Sequence, residues 1–97
     1  MIEIRWTDQA LGNLLDIKTF IAQDSPAYAL AVVGRLYAAV SQLAEFPDSG
    51  RMVPERDLPE VRELVRPPYR IVYRRRSTAI EILLVFRSSL PMPEAAE

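Results

Sequence analysis

VRELVRPPYRIVYRRRSTAIEILLVFR, residues 61–87, is the stretch that decides the fold. Apolar and charged residues alternate along much of it, and a period of two is typical of β-strands with one buried side. Pro67-Pro68 interrupts the pattern once, and Arg76-Ser77-Thr78 interrupts it again. Because such short connections join antiparallel neighbours, the stretch predicts a three-stranded antiparallel sheet. The predicted strands cover residues 61–66, 69–75 and 79–87.

The chain before this sheet predicts one short strand and two helices. Residues 2–6 alternate apolar and charged side chains and form the strand. Apolar residues then recur with the 3.6-residue period of a helix that Thr7 or Asp8 caps and that ends near Gln23. A second helix follows at about 26–45. The fold class is therefore α+β: a short N-terminal strand, an α-helical hairpin and a three-stranded antiparallel sheet, in the order β-α-α-β-β-β.

Length and composition indicate one folded domain. The chain has 97 residues, of which 49% are hydrophobic and 26% are charged, as in ordinary globular domains. Residues 1–90 are predicted to form this domain. Residues 91–97 have no hydrophobic period, and we expect them to be a flexible C-terminal tail.

The chain contains neither cysteine nor histidine. This excludes disulfides, thiolate nucleophiles, imidazole bases and nearly all zinc or transition-metal sites, so we predict no metal and no cofactor. The N-terminus lacks the apolar core of a signal peptide, and no stretch approaches the roughly 18 apolar residues expected of a membrane span. We therefore expect a cytoplasmic protein without membrane contact.

Positive charge is concentrated in the predicted sheet. Six arginines stand between residues 62 and 76 against one acid, Glu63, although the net charge of the chain is −1. Lys18 is the only lysine among twelve basic residues. Arginine binds carboxylate or phosphate through two parallel hydrogen bonds, whereas lysine acts as a hydrated point charge. Such a cationic segment is typical of proteins that bind a polyanion or an acidic protein partner.

Alternation predicts that most of these arginines share one side of the sheet. The residues assigned to the side facing the helices are Tyr69, Ile71, Tyr73, Arg75, Ile80, Ile82, Leu84 and Phe86. The opposite side, the predicted arginine face, comprises Arg62, Leu64, Arg66, Arg70, Val72, Arg74, Arg76, Leu83, Val85 and Arg87. Glu81 lies among them and is interpreted as a charge partner. A surface that is both apolar and of one charge is unusual on a monomer, so we interpret it as partner-binding.

Four segments follow the strand and helical hairpin in order: FPDSGRMVPE (46–55), VRELV (61–65), YRIVY (69–73) and IEILLVFR (80–87). Their order and spacing resemble the RelE/ParE superfamily of toxins from prokaryotic type II toxin–antitoxin modules, over roughly residues 2–91. The resemblance implies a growth-inhibiting toxin that forms a hetero-oligomer with a cognate antitoxin, ParD-like or similar. We expect an acidic antitoxin segment to lie on the predicted arginine face.

The resemblance implies two alternative activities. RelE-like members cut messenger RNA on the ribosome, and that activity would implicate Arg62, Arg66, Arg70 and Arg87 here. However, the chain has no histidine and no tyrosine after Tyr73, and arginine is a poor general acid because its pKa exceeds 12. We therefore favour the ParE-like branch, a toxin that binds DNA gyrase and is not an enzyme. The endoribonuclease, with nucleic acid as a partner, is the alternative, and a member that has lost its toxicity stays open.

Overall fold

Both helices and all three C-terminal strands form where the sequence predicts them. The computed structural model describes residues 1–95, so residues 96 and 97 of the predicted tail lie outside the described residues. The elements are β1 (Glu3–Trp6), α1 (Asp8–Ala22), α2 (Pro26–Ser41), β2 (Arg51–Met52), β3 (Val61–Arg66), β4 (Tyr69–Arg75) and β5 (Ala79–Arg87). A 3-10 turn, Gln42–Ala44, continues α2.

The strands form one mixed sheet in the order β1-β5-β4-β3-β2. β3, β4 and β5 are antiparallel neighbours, as predicted. β1 adds to β5 in parallel at one edge, and the two-residue β2 adds to β3 at the other. The α+β class and the element order are thus confirmed, and the sheet has five strands because short edge segments extend the predicted three. A two-residue strand is too short for alternation to reveal it.

Side-chain caps start both helices. The Thr7 hydroxyl accepts a hydrogen bond from the Ala10 backbone N–H at 3.2 Å and donates one to the Ile82 carbonyl at 2.6 Å, so it also ties α1 to β5. The Ser25 hydroxyl accepts from the Tyr28 N–H at 3.1 Å. Each such cap contributes about 1 kcal/mol to helix stability. The helical hairpin therefore packs with a defined orientation on one side of the sheet.

The second helix is more apolar than expected. With its 3-10 turn it runs for 19 residues, Pro26–Ala44, at a mean hydropathy of 1.3 in its most apolar window, which by length and composition alone would suffice to cross a membrane. The expectation that no stretch reaches this limit was therefore wrong. The central helix of a folded domain passes the same test, and Val32, Leu36 and Val40 are buried here against the rest of the core. The absence of membrane contact stays a prediction.

A second hydrophobic cluster lies on the side of the sheet away from the helices. Its buried members are Val53, Val61, Val72, Leu83, Leu84 and Phe86. Met92 and Ala95 pack against this cluster, and the Gln9 side-chain amide donates a hydrogen bond to the Glu94 carbonyl at 2.7 Å. This side therefore carries a buried cluster, whereas the alternation predicts an arginine-rich, partner-binding surface there. The described part of the tail, residues 91–95, contacts the domain, and its flexibility stays a prediction.

A β-bulge reverses the predicted sides in the second half of β5. The pairing shifts by one residue between Val72 and Tyr73 of β4, which leaves Leu83 without an opposite residue. One extra residue turns every later side chain to the other side of the sheet. Beyond the bulge, Val85 and Arg87 share the side of the helices, and Leu84 and Phe86 share the opposite side.

The predicted sides of β3 are also wrong. Pro67-Pro68, joined by a cis peptide bond, forms a two-residue connection that pairs Arg66 with Tyr69 and Leu64 with Ile71. Directly paired residues share one side of a sheet, so β3 turns these side chains toward the helices. The predicted arginine face is consequently divided. Arg62, Leu64, Arg66, Val85 and Arg87 lie on the helix side, Arg70, Val72, Arg74 and Leu83 lie on the opposite side, and Arg76 follows the end of β4.

Candidate functional site

A buried ion-pair network occupies the side of the sheet away from the helices. The carboxylate of Glu63 is fully buried and accepts hydrogen bonds from Arg70 Nε at 2.6 Å and Arg51 Nε at 2.7 Å. Arg70 also donates from both terminal nitrogens to Glu55, at 2.8 and 2.7 Å. Its guanidinium lies 5.0 Å from the centroid of the Phe86 ring. Two carboxylates therefore neutralise the most buried arginine of the run.

Pairing within this network changes the acidity of its members. The hydrogen bonds from Arg70 lower the pKa of Glu55 to about 2. The same bonds raise the pKa of Arg70 above its ordinary value, against the opposing effect of burial. Arg70 thus stays charged and paired at every physiological pH. Its guanidinium offers little free attraction to an incoming phosphate.

Other arginines of the run also have partners in the fold. Arg75 pairs with Asp48 at 3.1 Å, Arg76 pairs with Glu81 at 2.7 Å, and Arg62 donates to the Gly50 carbonyl at 2.9 Å. The interpretation of Glu81 as a charge partner is confirmed. Asp48 and Glu55 come from the segment between α2 and β3, which the sequence shows only as an irregular connection. Acids outside the strands thus compensate charge that looks unopposed along the sequence.

Two hydrogen bonds of the Tyr73 hydroxyl stabilise the loop that contains Asp48. The hydroxyl accepts a hydrogen bond from the Gly50 N–H at 3.0 Å and donates one to the Pro47 carbonyl at 2.9 Å. A Cβ atom on Gly50 would lie 2.6 Å from the Glu63 carbonyl oxygen, so only glycine allows this close approach. Burial raises the pKa of the Tyr73 phenol. Tyr73 is therefore a core residue with a structural hydroxyl.

Three other arginines converge on a cleft between the helices and one end of the sheet. Tyr69 pairs with Arg66 of β3 on one side and with Arg87 of β5 on the other, so the three side chains stand side by side. The Arg87 guanidinium lies 5.8 Å from the centroid of the Tyr69 ring. Arg35 reaches the same cleft from α2. We call this site, with Arg35, Arg66 and Arg87 around Tyr69, the cationic cleft.

The cationic cleft has a volume of about 250 Å³. Its other lining residues are Ile21, Tyr28, Val32, Leu36, Pro67 and Pro68. None of the lining residues is acidic, and within residues 1–95 its three arginines make no ion pair with a carboxylate. Guanidinium groups and phenols titrate far above neutral pH. The cleft can therefore bind and orient an anion, but it supplies no general base near pH 7.

An apolar groove continues from the cationic cleft past Tyr69 and Arg87. It is lined further by Asn13, Asp16, Ile17, Phe20, Val85, Phe86 and Leu90. Phe20 is 70% exposed and Leu90 is 55% exposed, although both are large apolar residues. We call this surface the apolar groove. Cleft and groove together present positive charge beside uncovered apolar area.

Of the predicted arginine face, Arg66 and Arg87 meet in the cationic cleft, and Val85 lines the adjoining apolar groove. The four residues implicated in a ribonuclease divide in the same way, because Arg70 lies on the other side of the sheet from Arg62, Arg66 and Arg87. Whether the divided residues bind a partner stays a prediction. Sequence reasoning missed Arg35 as a site residue. Nothing in the sequence links α2 to the ends of these strands, whereas the two-residue turn could have placed Arg66 beside Tyr69.

Comparisons with known proteins agree with this architecture. A family model described as the ParE toxin of the type II toxin–antitoxin system parDE matches residues 4–89. Y4kP of Sinorhizobium fredii is 44% identical over 93 residues, which are 94% of this chain and 93% of that protein. Toxin RelE2 of Caulobacter vibrioides is 40% identical over 74 residues, which are 75% of this chain and 80% of that protein.

Two solved toxin–antitoxin systems contain chains with a similar fold. A chain of the chromosomal ParDE system from P. aeruginosa has a TM-score of 0.72 and 28% identity, covering 90% of this chain and 96% of that chain. A chain of the RelBE2 toxin–antitoxin complex from Mycobacterium tuberculosis has a TM-score of 0.58 and 23% identity, covering 91% and 92%. At that identity the second likeness concerns the fold alone.

Proposed function

This chain belongs to the ParE toxin family of type II toxin–antitoxin systems, and from that premise we propose that it inhibits growth by binding DNA gyrase in the cytoplasm. A cognate antitoxin, ParD-like or similar, neutralises it by forming a hetero-oligomer. The match of the ParE toxin model over residues 4–89 carries this proposal. The two solved systems with this fold are toxin–antitoxin assemblies, which supports an antitoxin partner.

The chemistry of the arginines supports action by binding. Cleavage of RNA through the 2′-hydroxyl needs a group that accepts a proton, cations beside the phosphate and an acid for the leaving oxygen. The chain has no histidine, and Arg70 is neutralised by Glu55 and Glu63. The cationic cleft offers arginines and tyrosines, which bind anions well and transfer protons poorly near pH 7.

A supercoiling assay with purified gyrase tests this proposal. We expect the toxin at micromolar concentration to block supercoiling, and we expect addition of the antitoxin to restore it. Toxin premixed with excess antitoxin provides the control for non-specific inhibition. Full supercoiling in the presence of toxin that arrests growth when expressed alone would refute gyrase as the target.

The endoribonuclease is the second candidate. It is favoured by the 40% identity to Toxin RelE2 and by the position of Arg66 and Arg87 on either side of Tyr69. Its signature is codon-dependent cleavage of messenger RNA in an extract that contains ribosomes, with loss of cleavage in Arg66→Ala. Intact messenger RNA would exclude this activity. Unimpaired growth during expression without antitoxin would contradict both candidates and favour a member that has lost its toxicity.

A further inference from the structure

We propose that the outer side of α2 binds a second copy of this chain and forms a weak, symmetric dimer. Two α2 helices lie antiparallel in this dimer and cross at Gly34, with Leu30 of each copy beside the partner subunit's Tyr37. The contact uses no arginine of the cationic cleft and lies apart from the apolar groove. Such a dimer goes beyond the proposed function and does not depend on it.

α2 is almost free of charge on a side that faces solvent. Arg35 alone is charged among its 16 residues, and Arg35 reaches the cationic cleft. A surface helix usually buries one side and carries charged residues on the other. In α2 the side that contains Leu36 is buried, which leaves uncharged residues facing solvent on the opposite side. The exposed residues of this opposite side, which we call the outer face, are Ala27, Leu30, Ala31, Gly34, Tyr37, Ala38 and Ser41.

Small residues on the outer face have the spacing of a helix–helix contact. They recur alternately after four and after three residues, an average of 3.5 residues that keeps one seam of a helix against a second helix along its length. Small side chains in such a seam let the two helix axes approach closely. The pattern is that of a paired helix, although these residues are exposed in the single chain. The small residues are Ala27, Ala31, Gly34, Ala38 and Ser41.

Gly34 is not required by the fold of the single chain. Glycine inside a helix destabilises it relative to alanine. The φ of Gly34 is not positive, so its backbone conformation does not call for glycine. A Cβ atom at this position would have no neighbour within 4 Å, so packing within the chain does not call for glycine either. The close approach of a second helix at the centre of the seam gives this glycine a physical reason.

The outer face is complementary to itself. Ala27 lies seven residues before Gly34 and Ser41 lies seven residues after it, so a twofold axis through Gly34 aligns small residues of two antiparallel helices. Leu30 and Tyr37 are seven residues apart and therefore share one flank of the seam. The same axis places Leu30 beside the partner subunit's Tyr37 on that flank, twice in the dimer. No charged residue lies in the seam, so the two identical faces do not repel each other.

The groups that enter the contact are ready for burial. The Tyr37 ring stacks on Trp6 with centroids 6.3 Å apart and planes within 5° of parallel, which restricts its motion before binding. The Ser41 hydroxyl donates a hydrogen bond to the Tyr37 carbonyl at 3.0 Å, so its burial leaves no donor unpaired. Leu11 and Leu15 of the neighbouring helix α1 are 48% and 60% exposed and add apolar area.

The size of the contact predicts a weak dimer. A helix of 16 residues is about 24 Å long, and a contact of this length belongs with small interfaces of less than about 1,200 Å² in total. Interfaces of this class are typical of transient association. We therefore expect monomer and dimer to exchange, with a dissociation constant in the tens of micromolar.

Sedimentation of the purified full-length toxin over micromolar to submillimolar concentrations is the first test. We expect the wild-type protein to pass from monomer to dimer, and we expect Gly34→Arg and Ala38→Arg each to weaken association about tenfold or more, because a charge enters the seam. Gly34→Arg should still fold, since its Cβ position is open. Ser89→Arg is the matched control, because it adds the same charge at an exposed position after β5, and its association should stay within about twofold of wild type.

Truncation of an apolar side chain is the second test. We expect Leu30→Ala to weaken association about tenfold, because each copy loses a contact with the partner subunit's Tyr37. Phe46→Ala is the matched control, since Phe46 is 61% exposed and follows the 3-10 turn outside the outer face. Its dissociation constant should stay within about twofold of the wild-type value. Circular dichroism checks the fold of both variants.

Cysteine cross-linking tests the antiparallel geometry. The chain has no cysteine of its own, so a single introduced thiol reports one position. We expect Gly34→Cys to give a covalent dimer with a short thiol-reactive linker, and we expect Ser89→Cys to stay monomeric. In a mixture, Ala27→Cys and Ser41→Cys should link to each other in preference to themselves, because antiparallel helices bring these two positions together. Preferential linking of each variant to itself would overturn the antiparallel seam.

Three further results would overturn the proposed dimer. A wild-type toxin that stays monomeric at every concentration would exclude it. Dimers that persist unchanged in Gly34→Arg and Ala38→Arg would mean that another surface associates. If the wild-type toxin stayed monomeric but sedimented with phosphatidylglycerol vesicles, and Gly34→Arg did not, the outer face would bind lipid and not a second copy. Inhibition of supercoiling and growth arrest are measured independently, so each of these results leaves the proposed function standing.

Discussion

At the scale of single residues, the paired acids decide what the arginines can do. Glu63 has no exposed side-chain surface and accepts from two guanidinium groups, so its charge is compensated where water does not reach. Glu55 adds a second carboxylate to Arg70 at the surface. An arginine that pairs with two carboxylates stabilises the fold, whereas an arginine that pairs with none can bind a ligand. The partner of each arginine therefore matters more for function than the number of arginines in the run.

Glu55 gives the fold a defined sensitivity to acid. Arg70 lowers its pKa from 4.5 to about 2, so folding favours the ionised carboxyl. The resulting stabilisation is fully present above pH 4.5 and is lost as the pH falls toward about 2. Glu55→Gln should cost only about 1 kcal/mol at pH 7, because solvent screens a half-exposed pair. Between pH 4.5 and about 2, the free energy of unfolding of Glu55→Gln should also fall less steeply than that of the wild-type protein.

Urea unfolding of the wild-type protein and Glu55→Gln across this pH range measures the effect. Asp57→Gln serves as the control, since Asp57 is exposed in the same segment and has no ion pair in residues 1–95. Its acid unfolding should follow the wild-type curve. Identical pH dependence in the wild-type protein and Glu55→Gln would contradict a depressed pKa at Glu55.

At the scale of elements, the bounds of the main strands could be predicted and their sides could not. Alternation and the two breaks at Pro67-Pro68 and at residues 76–78 give β3, β4 and β5 to the residue. The sides depend on register. The turn pairs Arg66 with Tyr69, and the bulge at Leu83 lies in a continuous apolar run that has no alternation to interrupt. A single extra residue then moves Val85 and Arg87 to the helix side.

Gly50, in the loop before β2, and Gly34, within α2, should respond oppositely to substitution by alanine. A Cβ on Gly50 would lie 2.6 Å from a backbone carbonyl and 2.7 Å from the Tyr73 hydroxyl, so Gly50→Ala should destabilise the fold by about 2 kcal/mol. Gly34 lies within α2 with nothing within 4 Å of its Cβ position. Gly34→Ala should therefore stabilise the fold by about 0.5–1 kcal/mol, the difference in helix propensity. Thermal unfolding of both variants measures these effects, and a stabilised Gly50→Ala would contradict the close contact.

At the scale of the whole molecule, folding converts a segregated charge pattern into local pairs. Residues 1–61 hold nine acids and five bases, whereas residues 62–87 hold seven arginines and two glutamates. Asp48 and Glu55 belong to the acidic first part of the chain and pair with Arg75 and Arg70 of the second part. The cationic cleft is assembled from both parts, because Arg35 comes from α2. Sequence could predict that a cationic site exists, but tertiary packing decides which arginines remain open.

This organisation predicts an unusual dependence of stability on salt. Repulsion within the cleft destabilises the free toxin at low ionic strength, and salt screens it with a Debye length of about 10 Å at 0.1 M. The triple variant Arg35→Gln, Arg66→Gln, Arg87→Gln should therefore be more stable than the wild-type protein by about 0.5 kcal/mol at low salt, and the difference should shrink as NaCl rises. The matched control neutralises the paired arginines Arg5, Arg75 and Arg76, and it should gain nothing at low salt because it removes attraction. Urea unfolding at several NaCl concentrations measures both differences. Equal salt dependence in the two triple variants would mean that the arginines of the cleft are already compensated in the free toxin.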